Sequence, residues 1–191
     1  MKTLKTILTV FLLLQTAVSF GQTKEETVKY INSILSVSKG IKSIGGGNSL
    51  PNIFIVTSQS FSLEKIEQDT KRETFRETTL ETENKYCSNV YTEIPWNMLG
   101  NITIKPRNAN RFYGKSNSDV INKLKEPELV ELRIEFNAGL LYSGKCDDGG
   151  KDDKLVFKYI EMYVVPEKVE NIKKAFEHLK GLMKEKDLFG N

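Results

Sequence analysis

One histidine, two cysteines, one tryptophan and five prolines are spread over 191 residues. Two cysteines and a single histidine do not complete a four-ligand zinc site unaided. His178 would have to be the base of any Ser–His–acid or Cys–His centre. No G-x-S-x-G stretch supplies the nucleophile, and His178 borders the apolar stripe of a helix, so we read it as a packing or boundary residue. Beyond the first 21 residues, no apolar run approaches the roughly 20 needed to cross a bilayer. The chain also lacks an internal repeat.

The apolar run that does exist is at the start, in MKTLKTILTVFLLLQTAVSFGQTKEE. Lys2 and Lys5 precede Ile7 to Phe20, a stretch long enough for a secretory leader and too short to span. Ser19 and Gly21 are the small residues of a cleavage site. Residues 1–21 are thus expected to be a signal peptide cut after Gly21, leaving Gln22 to cyclise and residues 22–191 as one globular domain. No cysteine follows the cut to carry a lipid anchor. The expected location is exported, in the periplasm or outside the cell.

Without Lys2 and Lys5, the formal charge of +3 falls to +1. A nearly neutral domain offers no electrostatic footprint for nucleic acid. Cys87 and Cys146 are the only thiols, and an oxidising compartment favours their pairing. An unstrained bridge closing so long a loop contributes roughly 3–4 kcal/mol. Two separate buried thiols are the alternative.

Periodicity sets the order of elements. Thr23 and Glu26 form a capping box, and Val28, Ile31 and Leu35 repeat at helical spacing. This predicts a helix from Lys24 to Lys39, with Gly40 as the left-handed residue after it. Strands are expected over Ile53–Ser58, Phe61–Asp69, Glu73–Glu81, Tyr86–Trp96 and Asn101–Lys105. The threonine-rich stretch between Phe61 and Glu83 reads as the edge of the sheet. Val90, Thr92, Ile94 and Trp96 are expected on one face. A short helix is expected over Val120–Lys125. In ELRIEF, Leu132, Ile134 and Phe136 face in and Glu131, Arg133 and Glu135 face out. Leu140–Cys146 and Leu155–Val165 follow as strands. Pro166 then opens a helix whose stripe is Val169, Ile172, Phe176, Leu179 and Met183. Neither helix buries its stripe alone, so the strands must cover both. The expected fold is α+β: an N-terminal helix, a strongly curved antiparallel sheet or small barrel of six to seven strands, and a C-terminal amphipathic helix. This is the pleckstrin-homology-like arrangement, with a flatter α+β sheet as the alternative.

Four local patterns invite a chemical reading. GKCDDGGKDDK, Gly144 to Lys154, is rich in aspartate. Counting an EF-hand from Asp147 or Asp148 puts Lys158 or Tyr159 at position 12, where calcium needs glutamate. Gly149 and Gly150 instead suit a hairpin turn, and no metal is expected. KPRNANRFYGK is the one basic and aromatic loop; Arg107, Arg111, Phe112, Tyr113 and Lys115 are candidate ligand-binding residues. Glu73, Glu77, Glu81 and Glu83 crowd one segment but alternate with threonine and arginine, as on a solvated strand. GGGNS lacks the lysine of a phosphate loop. No catalytic residue and no cofactor are assigned.

Three segments carry a resemblance: TKEETVKYIN, EIPWNMLGNITI and VENIKKAFEHLKGLMKE. They resemble small exported proteins of Bacteroidota with a pleckstrin-homology-like domain, whose closing helix has an A-x-x-H-L pattern, here Ala175, His178 and Leu179. The resemblance implies export and a curved sheet, and it implies no catalytic residues. The functional expectation is an exported non-enzymatic binding module, recognising a peptide, protein or small ligand through a sheet edge or loops. One alternative is a carrier for a small apolar ligand, with Trp96, Phe136, Phe157, Tyr159 and Phe176 lining its pocket. A carboxylate-based hydrolase is the other.

Overall fold

The computed structural model describes residues 23–45, 52–75, 82–106, 129–147 and 154–187. The leader, the expected helix at 120–125 and the turn glycines Gly149 and Gly150 lie outside these residues. The described chain forms two helices and one curled antiparallel sheet, a half-barrel.

The first helix, α1, spans Lys24–Ser36. The Thr23 hydroxyl accepts the Glu26 N–H at 3.2 Å, and the Glu26 carboxylate accepts the Thr23 N–H at 2.9 Å. These two bonds satisfy donors that a helix start leaves open. The helix ends three residues before the expected Lys39. From Val37 to Lys39 each N–H bonds the carbonyl three residues back, a tightened last turn. Gly40 then adopts φ +78°, which costs glycine little.

The strands are β1 Lys42–Gly45, β2 Asn52–Phe61, β3 Lys65–Phe75, β4 Thr82–Thr92, β5 Leu99–Pro106, β6 Val130–Cys146 and β7 Lys154–Val164. Every pairing is antiparallel. A 3-10 turn, Pro166–Lys168, leads into the last helix, α2, at Val169–Asp187.

The expected edge stretch is corrected. Phe61 ends β2, Ser62 to Glu64 turn, and Lys65–Phe75 runs as one strand between β2 and β4. It is interior to the sheet. Its polar residues misled the reading because Gln68 and Thr70 are buried, not solvated. A bulge at Thr57 adjusts β2 to this neighbour: Val56 opposes Thr70, yet Gln59 opposes Gln68 and Phe61 opposes Ile66. The extra residue lets Val56, Gln59 and Phe61 share one face.

β6 is 17 residues long and serves three neighbours. On one flank, residues 141–146 pair with β4 and residues 130–136 with β5. On the other flank lies β7. β4 and β5 therefore follow one line along β6, broken at residues 93–98. Glu93 makes the break with φ +54°, and Trp96–Met98 form a 3-10 turn. This corrects the expected Tyr86–Trp96 strand. Tyr91, not Val90, is the buried residue of β4, and Trp96 enters the core from the break.

The core lies between the sheet and the two helices. Ile31 and Leu35 of α1, Ile172, Phe176 and Leu179 of α2, and Leu132 and Ile134 of β6 are almost fully buried. Phe61 meets Trp96 and Phe176 edge-on, each at 5.3 Å between centroids. The Trp96 indole N–H donates to the Leu63 carbonyl at 2.7 Å. Trp96, Phe136 and Phe176 thus fill a core by packing on one another. Phe157 stacks on Tyr159 at 5.3 Å and on Tyr142 at 4.5 Å, at the margin of the same core. A second cluster joins Phe54 and Val56 to Leu129, Tyr163 and Val165.

Candidate functional site

The curl brings β7 against β2 without strand pairing between them. Side-chain amides take the place of a ladder. Gln59 bonds both backbone groups of Tyr163, at 2.7 and 2.8 Å. Gln68 donates to the Gln59 amide oxygen at 2.9 Å and to the Glu161 carbonyl at 3.4 Å. Asn89 donates to Gln68 at 3.4 Å, and the Tyr142 hydroxyl donates to Asn89 at 2.8 Å. Gln59, Gln68 and Asn89 sit opposite one another on successive strands and Tyr142 reaches Asn89 diagonally, so one face carries a polar row. Each amide donates to the next, a directional chain in which the bonds polarise one another. The second half of β7 therefore has its open edge satisfied internally.

β5 has a different environment. It pairs with β6 on one side, and among the described residues no strand pairs with its other side. The reason is where β3 begins: Lys65 opposes Thr92, the last residue of β4, so β3 does not continue beside β5 past the break. Between this edge and α2 lies a groove of about 380 Å³. Residues 99–103 form one wall; Lys173, Glu177 and Lys180 form the other. Asn101 and Thr103 are exposed, and Ile102 and Ile104 pack on the core. Lys180 crosses the groove, its ammonium donating to the Gly100 carbonyl at 3.2 Å. A side chain at Gly100 would crowd the Glu135 carbonyl of β6 at 3.2 Å, so glycine allows the close approach.

A shallower depression of about 460 Å³ lies where β3, β4 and β6 meet. Asp69, Tyr86, Lys145 and Asp147 line it, with Cys87 and Cys146. These cysteines face each other across β4 and β6 and are joined by a disulfide. Asp147, the first aspartate of the acidic turn, secures the same strand ends. Its N–H donates to the Tyr86 carbonyl at 3.0 Å, and its carboxylate accepts the Tyr86 N–H at 3.1 Å.

Arg133 bonds Glu161, lies 3.6 Å from Glu131, and stands 4.2 Å from the Tyr159 ring centroid. Its partners come from the protein. Glu73 pairs with Lys71 at 2.7 Å. His178 is exposed on α2, so of the two readings it is a boundary residue of the helix and not a packed one. Arg107, Arg111, Phe112, Tyr113 and Lys115 lie outside the described residues, as do Glu77 and Glu81.

Burial raises the Tyr91 phenol well above its ordinary range, against an opposing backbone hydrogen bond with Glu161. Burial likewise raises Tyr142, helped by the Glu161 charge. Tyr142 thereby stays a protonated donor for the polar row. Among the described residues, no group of three or more His, Cys, Asp and Glu side chains is placed to hold a metal ion. No described helix is long and apolar enough to cross a membrane.

The sequence carried a faint signal of the β5 groove. Lys173, Glu177 and Lys180 repeat along one face of α2 at four- and three-residue spacing. Nothing in the sequence said which strand that face would meet. No protein-family model matches the chain, and no curated protein or solved structure matches it.

Proposed function

We propose that the chain is an exported, non-enzymatic binding module that accepts an extended peptide segment of another protein along β5. The observation that carries this reading is that, among the described residues, β5 pairs on one side alone, beside the groove to α2. An unpaired strand edge presents a row of N–H and C=O groups, which give a peptide affinity through main-chain bonds. The neighbouring helix supplies side chains that select it. Two further features support the reading. The Cys87–Cys146 disulfide suits an oxidising compartment, periplasmic or extracellular, as does a leader at residues 1–21. A curled sheet with a closing C-terminal helix suits the pleckstrin-homology-like arrangement and the resemblance to exported proteins of Bacteroidota.

Photo-crosslinking in an exporting host tests the proposal. A benzophenone amino acid is placed at Asn101, at Thr103 or, as control, at the exposed Lys174 on another face of α2. A discrete protein adduct from the β5 positions and not from Lys174 is the expected result. No adduct, or the same adducts from all three positions, would sink the reading. Recovery of the chain in the cytoplasmic fraction with its leader attached would sink the export part.

A further inference from the structure

We propose that Lys180 is a displaceable cap on the β5 edge, and that the segment the groove takes carries an acidic side chain that removes this cap. The inference rests on the reading of β5 as a docking edge and says which peptides it selects. The Gly100 carbonyl, in the irregular start of β5, is an acceptor in the groove, and the Lys180 ammonium now occupies it at 3.2 Å. A strand arriving in the groove must provide an N–H for that carbonyl and something for the ammonium.

A carboxylate on the arriving strand does the second job. An ammonium–carboxylate bond is stronger than an ammonium–amide bond, so Lys180 turns from the carbonyl to the acid. The freed carbonyl then accepts the strand N–H, and every donor and acceptor ends paired. Charge complementarity points the same way. Lys173 and Lys180 place two positive charges on the helical wall, and Glu177 offsets one of them. A strand without an acid displaces the ammonium into water with no compensating partner. In the free protein the same lysine covers one acceptor of β5 from the neighbouring helix, as covering elements do at sheet edges.

The test is an NMR titration of the full nitrogen-15-labelled chain, disulfide intact. The probes are blocked octapeptides of alternating threonine and valine, with one glutamate walked through each position. A second set carries glutamine in its place. The proposal expects amide shifts concentrated at residues 99–106. The best glutamate peptide should bind about three- to fivefold tighter than its glutamine twin, as for a solvent-exposed ion pair. In Lys180→Ala the preference should fall below about twofold, while glutamine peptides bind at least as tightly as to the parent. Lys180→Gln serves as the second variant and should behave alike. Binding at β5 without preference for glutamate, or a preference that survives both substitutions, overturns the cap and leaves the docking edge standing. Absence of shifts at residues 99–106 with every peptide overturns both.

Discussion

Gln59 holds Tyr163 by both backbone groups: its Nε2 donates to the Tyr163 carbonyl at 2.7 Å, and its Oε1 accepts the Tyr163 N–H at 2.8 Å. A side chain thereby does for β7 what a neighbouring strand would do. Gln59→Ala removes both bonds and leaves the Gln68 amide only its longer bond to the Glu161 carbonyl. Each unsatisfied buried group costs about 1–3 kcal/mol, and some of that cost is recovered by water. The expected loss is about 2–3 kcal/mol in urea unfolding. A change below about 0.5 kcal/mol would mean that the seam between β2 and β7 does not depend on this amide.

Tyr142 reaches Asn89 by lying over Gly144. An added Cβ at Gly144 would overlap the Tyr142 ring and hydroxyl. Gly144→Ala is therefore expected to cost about 1–3 kcal/mol through forced repacking. Asn89→Ala removes the acceptor of the same hydroxyl. Because the two substitutions disturb one bond, their double variant should cost less than the sum of the singles by at least about 0.5 kcal/mol. Strict additivity would separate Gly144 from the polar row.

Alkaline pH should weaken the fold. The folded Tyr91 and Tyr142 phenols are raised above their ordinary range by burial, so the unfolded chain loses these protons first. Their stabilising contribution is complete below about pH 10 and declines as pH rises through the folded values. Ultraviolet titration should show late-ionising tyrosines, and unfolding free energy should fall above about pH 10. Tyr91→Phe should flatten that fall. An unchanged slope in this variant would refute the assignment.

The disulfide joins β4 to β6 at the end of a short pairing, residues 87–92 against 141–146. Replacing both cysteines by serine should cost roughly 3–4 kcal/mol on loop-closure grounds. Hydrogen exchange should rise first in residues 84–90 and 143–147, with the α2 core still protected. Uniform loss of protection would mean that the bridge supports the whole fold instead.

Glu93 occupies the left-handed region at φ +54°, where a side chain costs about 1–2 kcal/mol. Glycine relieves this and loses some unfolded-state freedom in exchange. Glu93→Gly should stabilise by about 0.5–1 kcal/mol. Destabilisation would mean that the Glu93 side chain makes a compensating contact.

Where the sequence was legible, one local rule acted alone. The Thr23–Glu26 box and the Leu132–Ile134–Phe136 alternation depend on neighbours within a few residues, and both appear as written. The strand alternation Val90, Thr92, Ile94, Trp96 failed because a single positive φ at Glu93 ended the strand while the apolar spacing carried on. Gln68 was misread for another reason, and Gln59 and Asn89 carried no signal of their role. Each amide looks like solvent-facing polarity until its partner on the next strand is known. The β5 edge was the least legible feature, since it depends on where β3 stops and on which strand α2 meets. Both are long-range outcomes of the register, not of residues 99–106 themselves.

The distance in sequence between Gln59 and Tyr163, 104 residues, has a bearing on how the chain is made. β2, β3 and β4 leave the ribosome long before β7 exists to meet them. During that interval the unfinished seam presents amides, which water satisfies, in place of a bare backbone ladder or a greasy strip. The nascent sheet is thus wetted where it is incomplete and becomes dry only when its last strand arrives. Closure late in synthesis then exchanges water for Tyr163 and Glu161, and the half-built chain stays unattractive to its neighbours while it waits.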